Sequence, residues 1–320
     1  MDKKEMIKRL SENQGSVLSF PDRGPWGSSK YRGNCSGWVI AQLLNTYNVQ
    51  RLSEIFAGSG TGADVCADWG CDYIGADLNP NPVRKNIISL DVLKEDIPTG
   101  FLDGSDMWFG HPPYSELIKI PYANSMWKDT TKEHNLDKSD LGQMNWDDFI
   151  KALNVCVMKM YAAQEKGSRG AILMGDIRRG GRYYSMLNDI VKPGACEGIW
   201  IKRQHNYSSM GKSYAGQRNY LYIEHEYVLI FKKLASLIID FMLPVKRETD
   251  IRDSMMGTWN DCLNAVMTEL KEAHLSEIYE QFEGSKKAER NENWKAKVRQ
   301  TLQLSPRFVS KGDGVWALAA

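Results

Sequence analysis

The 320-residue chain predicts an α/β fold with a mostly parallel sheet, an antiparallel last strand, helices on both faces and a small carboxyl-terminal module. Two observations predict it. From residue 51 to about 233, short apolar runs alternate with longer segments of helical spacing, the order that parallel βαβ units require. Past Lys233 the alternation gives way to helical spacing alone, closed by a Gly-Asp-Gly turn. The domains are accordingly placed at 1–235 and 236–320.

The elements follow in order. "RLSEIF" (51–56) is a short strand running into the glycine-rich "AGSGTG", and a helix follows through "ADVCADWG". "DYIGA" is a strand ending on Asp77, "NIISL" one ending on Asp91, and "DMWFG" a fourth ending on "HPPY". Residues 145–166 form a long helix, with Phe149, Leu153, Cys156, Val157 and Met160 at helical spacing. Next come the strand "GAILMG" (170–175), a helix near 183–191, and the strands "GIWIKRQ" and "EYVLIFKK". The last two are expected to pair antiparallel. In the tail, "TWNDCLNAVMTEL" places Trp259, Leu263, Val266, Met267 and Leu270 on one face, and "LSEIYEQFE" is a second helix. "NWKAKVRQTLQ" is a third, with Trp294, Val298 and Leu302 inward and Lys295, Arg299 and Gln303 outward. "RFVSKGDGVWAL" closes the chain as a hairpin. Three helices and a hairpin describe a winged helix whose third helix would enter a major groove, or else a helical cap or dimerisation module.

Composition narrows the function. No run of 18 apolar residues occurs, and "MDKKEMIKRLSENQG" lacks a signal peptide's apolar stretch, so a cytoplasmic protein without membrane contact is expected. Six cysteines form no CxxC pair and no Cys/His metal spacing, which reads as reduced thiols and no metal. The formal net charge is +1, yet residues 176–219 and 284–320 each hold eight Lys/Arg against three Asp/Glu. Two basic segments in a neutral chain point to two surfaces facing a polyanion.

Two motifs carry chemistry. In "FAGSGTG", Gly58, Gly60 and Gly62 allow backbone to press against a ligand, with helix N–H groups behind. The loop lacks a P-loop's Lys-Ser/Thr ending and GxGxxG spacing. Asp77, at the next strand end, can accept both hydroxyls of an adenosine ribose. Asp91, at the third strand end, reaches an adenine amino group or simply caps a helix. In "GHPPYSEL", Pro112 and Pro113 cannot donate to a ladder, so they lie past the last strand hydrogen bond. His111 and Tyr114 then project from a stiff corner at a strand's carboxyl end, where open α/β sheets bind ligands.

"EIFAGSGTG", "YIGADLNP" and "DMWFGHPPY" resemble the cofactor motif and the (Asp/Asn/Ser)-Pro-Pro-(Tyr/Phe) motif of DNA amino-methyltransferases, which transfer methyl from S-adenosylmethionine to adenine N6 or cytosine N4. "AILMGDIRRGGRYYSML" and "HEYVLIFKK" resemble the family's later strands, and "WGSSKYRGNCSGWVIAQLL" the segment that closes over the cofactor's methionine end. The resemblance covers roughly 24–233 in blocks, and the tail separately resembles winged-helix modules of such enzymes. It implies a Rossmann-like methyltransferase sheet, S-adenosylmethionine as cofactor and double-stranded DNA as partner. It also implies cofactor contacts at Tyr31, Arg32, Gly33 and Asn34, at Phe56, Ala57, Gly58, Ser59, Gly60 and Thr61, and at Asp77, Leu78, Asp91, Val92 and His111. His111, Pro112, Pro113 and Tyr114 are the implied catalytic residues.

His111 departs from the family, which has Asp, Asn or Ser there. An exocyclic amine is a poor nucleophile until acceptors draw on its protons. Pro112 offers its carbonyl, whereas His111 accepts only as a neutral imidazole. Tyr114 would stack on a base flipped from its helix. The departure keeps open a non-catalytic DNA-binding subunit that needs a partner methyltransferase. An RNA or protein-amide methyltransferase is a third reading, and adenine N6 is preferred to cytosine N4 because the cytosine enzymes usually carry Ser before Pro-Pro. DNA contacts are expected from Lys295, Arg299 and Gln303, and from Lys212 and Arg218 in the cationic, aromatic stretch 203–220. The polar stretch 115–145 is a second candidate for target recognition. Besides DNA, the expected protein partner is a second copy of the chain or a partner methyltransferase subunit.

Overall fold

The structure is a computed structural model describing residues 1–31, 33–118, 138–205 and 221–319. It divides into two units, Met1–Pro244 and Val245–Ala320.

The first unit is built on a sheet with β1 (Val17–Leu18) at one edge. In it β2 (Arg51–Ile55), β3 (Asp72–Asp77), β4 (Ile87–Ser89), β5 (Met107–Gly110) and β6 (Arg169–Arg179) run parallel. A short hairpin arm, β7 (Arg182–Ser185), pairs with the end of β6, and β8 (Lys192–Pro193) lies outside this sheet. β10 (His225–Lys232) is antiparallel to both β6 and β9 (Ala195–Arg203), as expected, although the connection after Arg203 is long enough for a crossover. The order is β1-β9-β10-β6-β5-β2-β3-β4. From β2 the chain steps outward to β3 and β4, then crosses back to β5 on the other side of β2. That reversal places a switch point between β2 and β5.

Alternation along the strands sends side chains to two cores. Trp108, Ile172, Met174, Leu229 and Phe231 pack on one face with Phe149, Leu153, Cys156 and Met160 of the helix Trp146–Ala163. Met107, Phe109, Ala171, Leu173, Val228 and Ile230 pack on the other. That second core takes in α1 (Lys3–Leu10) through Met6 and Leu10, α2 (Gly37–Tyr47) through Trp38, Ile40 and Leu44, and α3 (Thr61–Trp69) through Val65 and Cys66. The buried Trp108 indole donates to Gln164 Oε1 at 2.7 Å, so its one polar group is satisfied.

Three expectations need correction. The strand expected at 170–175 extends to Arg179, because Gly180 and Gly181, at φ 55° and 77°, form a two-residue turn into β7. Only Met186–Asp189 remains of the helix expected near 183–191. The domain boundary falls after Pro244 rather than after 235, because Phe241–Met242 pairs with β8 and Asp240 accepts from Tyr161 Oη.

The second unit has the expected helices at Trp259–Leu270, Leu275–Phe282 and Trp294–Leu304, with a short turn of helix at Lys286–Glu289. Its core holds Leu263, Met267, Ile278, Phe282, Val298 and Leu302. Phe308–Gly312 and Val315–Leu318 form the hairpin, and Glu272–His274 adds a third strand against Val315–Ala317. Three residues without apolar alternation carried no strand signal; pairing with the hairpin made the strand. Thr258 and Asp261 cap the first helix reciprocally. Thr258→Ala is expected to lower this unit's stability by about 1 kcal/mol, read from denaturant titration.

Candidate active site

The register of β2 and β5 builds the site. Ile55 pairs with Gly110, so the glycine loop and the His-Pro-Pro-Tyr corner leave the sheet side by side. Phe56 turns the chain out of β2 at φ 60°, a left-handed conformation that costs a non-glycine residue about 1 kcal/mol or more. Between loop and corner lies a cavity of about 520 Å³, in the size range of small-molecule sites.

Asp77 is fixed at one side of this cavity. Its Oδ2 accepts from Gly58 N at 2.7 Å and its Oδ1 from Asn79 N at 2.9 Å. Burial raises its pKa, and the nearby Asp140 charge adds to this, while the two amides oppose it. Each oxygen keeps a lone pair for a further donor. Glu54, buried on β2, accepts from Tyr73 Oη, and burial pushes it up to about 8. A Cβ on Gly62 would collide with Glu54 Oε2, so this glycine exists for packing against the strand rather than for a ligand. Gly62→Ala is expected to destabilise the first unit by roughly 1–3 kcal/mol, measured by thermal unfolding.

The segment before α2 is stitched over the loop. Asn34 Oδ1 accepts from Ser59 Oγ at 2.9 Å and from Thr61 Oγ1, and Ser28 N donates to Ser59 Oγ at 3.2 Å. Tyr31 packs against Gly58. Arg23 Nη1, Ser36 Oγ and Ser139 Oγ are buried without a hydrogen-bond partner among the described residues, and all three residues line the cavity.

At the opposite side, four residues form a chain of contacts. Lys202 Nζ donates to Glu226 Oε2 at 2.7 Å, Tyr114 Oη donates to Glu226 Oε1 at 2.9 Å, and Tyr114 Oη lies 3.2 Å from His111 Nε2. Burial alone would raise Glu226, but the Lys202 charge, His111 and the two donors outweigh it and hold it at about 2. Burial pushes His111 down to about 4, against the pull of the Glu226 charge. At neutral pH the ring is therefore uncharged and carries one acceptor nitrogen. NMR titration should show no protonation of His111 until the pH approaches 4.

Most of the predicted residues converge here. Tyr31, Gly33, Asn34, Phe56, Ala57 and Gly58 line the cavity, as do Ser59, Thr61, Asp77 and Leu78, together with His111, Pro112, Pro113 and Tyr114. Three do not. Gly60 faces the Arg84 side chain as the N-cap of α3. Asp91 accepts from Leu93 N and Lys94 N within its own turn, and Val92 is buried in the core. No helix follows Asp91 for it to cap, so its carboxylate serves this turn alone, and the cavity's acidic groups near Asp77 are Glu54 and Asp140 instead. Arg32, Lys212 and Arg218 lie outside the described residues. Lys295, Arg299 and Gln303 are exposed on the helix Trp294–Leu304 of the second unit. Lys295 Nζ already sits 5.3 Å from the Trp294 ring and 5.6 Å from Tyr279.

The sequence reading missed Arg23, Glu54, Asp140, Lys202 and Glu226. For Glu54 and Glu226 a signal existed: a charge inside an otherwise apolar strand is costly unless paired or functional. Asp140 was hidden in the stretch assigned to target recognition, of which Ser139–Leu141 instead line the cavity. Among the described residues, no His/Cys/Asp/Glu cluster could hold a metal ion, and no helix is long and apolar enough to cross a membrane.

No family model matches the chain, and no curated protein matches it in sequence. Among solved structures, it is similar to a SAM-dependent methyltransferase from Archaeoglobus fulgidus at 13% identity and TM-score 0.34, covering 62% of this chain and 95% of that one. It is similar to the 1,6-didemethyltoxoflavin-N1-methyltransferase of Burkholderia thailandensis at 10% identity and TM-score 0.34, covering 73% and 87%. A protein of Thermus thermophilus described as a DNA modification methylase, complexed with S-adenosyl-L-methionine, matches at 15% identity and TM-score 0.24, covering 46% and 52%. Likenesses this distant assign neither substrate nor residue roles. Fold and cavity together define an α/β protein with a ligand-sized cleft at the switch point of its sheet.

Proposed function

We propose that the first unit is an S-adenosylmethionine-dependent methyltransferase acting on an exocyclic amine of a DNA base, adenine N6 in preference to cytosine N4. The observation that carries this reading is the Ile55–Gly110 register, which sets a nucleoside-type loop beside a corner of amine-directed acceptors over one cavity.

The residues present fit the cofactor. Asp77 would take the ribose hydroxyls. The Arg23 guanidinium nitrogen, without a partner among the described residues, forms with the Ser36 and Ser139 hydroxyls a donor set for a carboxylate. When bound, the cofactor supplies an electrophilic methyl whose bond to sulfur breaks with the electron pair left on sulfur. The chain's own part is to hold the amine: the Pro112 carbonyl and a neutral His111 accept its protons, and the Tyr114 ring backs the base. An acceptor at His111 favours a working enzyme over a non-catalytic subunit.

The second unit is proposed to be a winged helix that docks duplex DNA through the exposed Lys295, Arg299 and Gln303. Its helix, strand and hairpin order supports this. Replacing Lys295 and Arg299 with Ala is expected to leave cofactor affinity unchanged and to flatten the salt dependence of DNA binding. Each lost phosphate contact should reduce the log–log slope by about 0.9. Binding like the parent at every salt concentration would make this unit a structural cap.

Incubation with labelled S-adenosylmethionine and mixed duplex DNA is the direct test. Labelled DNA is expected, with the base identified by digestion. Cofactor binding without transfer to any DNA overturns the DNA reading, and labelling of RNA or protein in competition would redirect it.

A further inference from the structure

The contact chain from Lys202 to His111 determines which imidazole nitrogen is free. The Glu226 carboxylate, paired with the Lys202 ammonium, is ionised and can only accept. Tyr114 must then donate its single hydroxyl proton to Glu226 Oε1. With that proton committed, the Tyr114 oxygen can only accept from the His111 Nε2 lying 3.2 Å away. Nε2 therefore carries the hydrogen, and the lone pair of the neutral ring sits on Nδ1. Among the described residues Nδ1 has no hydrogen-bond partner, and His111 lines the cavity.

We propose that Lys202, Glu226 and Tyr114 are positioning residues that hold His111 as its Nε2–H tautomer, making Nδ1 the proton acceptor for the target amine. This rests on reading the cavity as a site of amine methylation. An amine nitrogen that uses its lone pair to gain a methyl group becomes a cation and must shed one proton. Transfer of that proton to Nδ1 leaves a neutral methylated amine and an imidazolium, which later returns the proton to water. The ionised Glu226 stabilises the imidazolium through Tyr114 without itself taking the proton. The departure from an acidic or amide residue at 111 is thereby compensated by groups on β9 and β10, where nothing in the motif would direct attention. Among the described residues, the charged groups acting on His111 are Glu226 and Lys202.

The tautomer can be read without any activity. In the full chain labelled with ¹⁵N-histidine, assigned against His111→Asn, long-range proton–nitrogen spectra are expected to show His111 Nε2 protonated and Nδ1 unprotonated. Glu226→Gln should invert this. Its amide oxygen would face Lys202, its NH₂ would donate to Tyr114, and the Tyr114 proton would turn to Nε2, driving hydrogen to Nδ1. Tyr114→Phe, which removes the link altogether, should give a mixture and serves where the Gln variant does not fold. Protonated Nδ1 in the parent, or parent-like spectra in every folded variant, overturns the tautomer assignment. Single-turnover transfer from labelled S-adenosylmethionine to DNA is expected to fall at least about 100-fold in Glu226→Gln, the lower range for a misplaced general base. Parent-like transfer despite an inverted tautomer overturns the role of Nδ1. Absence of transfer in the parent to DNA, RNA and protein alike, with the Nε2–H tautomer in place, overturns the methylation reading and with it the role of Nδ1, leaving only the tautomer standing.

Discussion

Asp77→Ala is expected to lower S-adenosylmethionine affinity by roughly 100- to 10,000-fold while leaving duplex DNA affinity unchanged. The carboxylate is already oriented by the amides of Gly58 and Asn79, so a ligand pays little to order it. Two ribose hydroxyls donating to an ionised acceptor contribute about 1.5–3 kcal/mol each, and every 1.4 kcal/mol is about tenfold. Removing the side chain also frees the amide of Gly58 and loosens the loop that faces the cofactor. Asp77→Asn should recover part of the loss, since its amide oxygen can still accept. Calorimetric titration with S-adenosylmethionine and a separate DNA binding curve measure both; parent-like cofactor affinity in Asp77→Ala would remove the ribose role.

Lys202→Met is expected to cost about 3–5 kcal/mol of stability at pH 7, because it leaves the Glu226 carboxylate buried without its cation. For a unit of this size that corresponds to a fall in Tm of roughly 6–20 °C. The pH dependence has a definite sign. Glu226 is held at about 2 in the folded chain, below its ordinary 4.5, so its contribution is present above 4.5 and is lost as pH falls through 2. The gap between parent and variant should therefore close as pH drops from 4.5 toward 2. His111 adds to the acid sensitivity of the parent in a higher window. Its pKa falls from 6.5 to about 4 on folding, so the unfolded chain takes up its proton first as pH drops through 6.5. Thermal melts across about pH 3–8 for both chains would test this, and a constant gap would place the origin of the loss elsewhere.

Much of the first unit was legible because its signals are local. Alternating apolar strands, the glycine run and two prolines that cannot join a ladder each act through their own backbone, so the strands, the loop and the corner could be placed from residues 51–114 alone. The antiparallel direction of the last strand is fixed by its pairing with β6 and β9, because the connection from Arg203 to His225 is long enough for a crossover. Elements formed by pairing were less legible. Glu272–His274 is a strand only because the hairpin offers it a partner, and β7 exists because two glycines fold the end of β6 back on itself.

The site divides the same way. Gly58 and Asp77 stand at ends of adjacent parallel strands, so their meeting could be anticipated from sequence. Asp91 also stands near a strand end, yet its carboxylate is used by the amides of its own turn, and Asp140 from another stretch of chain reaches the cavity in its place. Residue order alone puts a histidine beside two prolines at position 111 and says that it departs from the usual acceptor. Which of its nitrogens carries the hydrogen depends on residues far off in the chain. Tyr114 and Glu226 are 112 positions apart, and Lys202 reaches Glu226 across paired strands, so the order of donors and acceptors that leaves Nδ1 free exists only when β9 and β10 lie together. A proton's position on an imidazole is set by the partner of its other nitrogen, and that partner is a property of the fold.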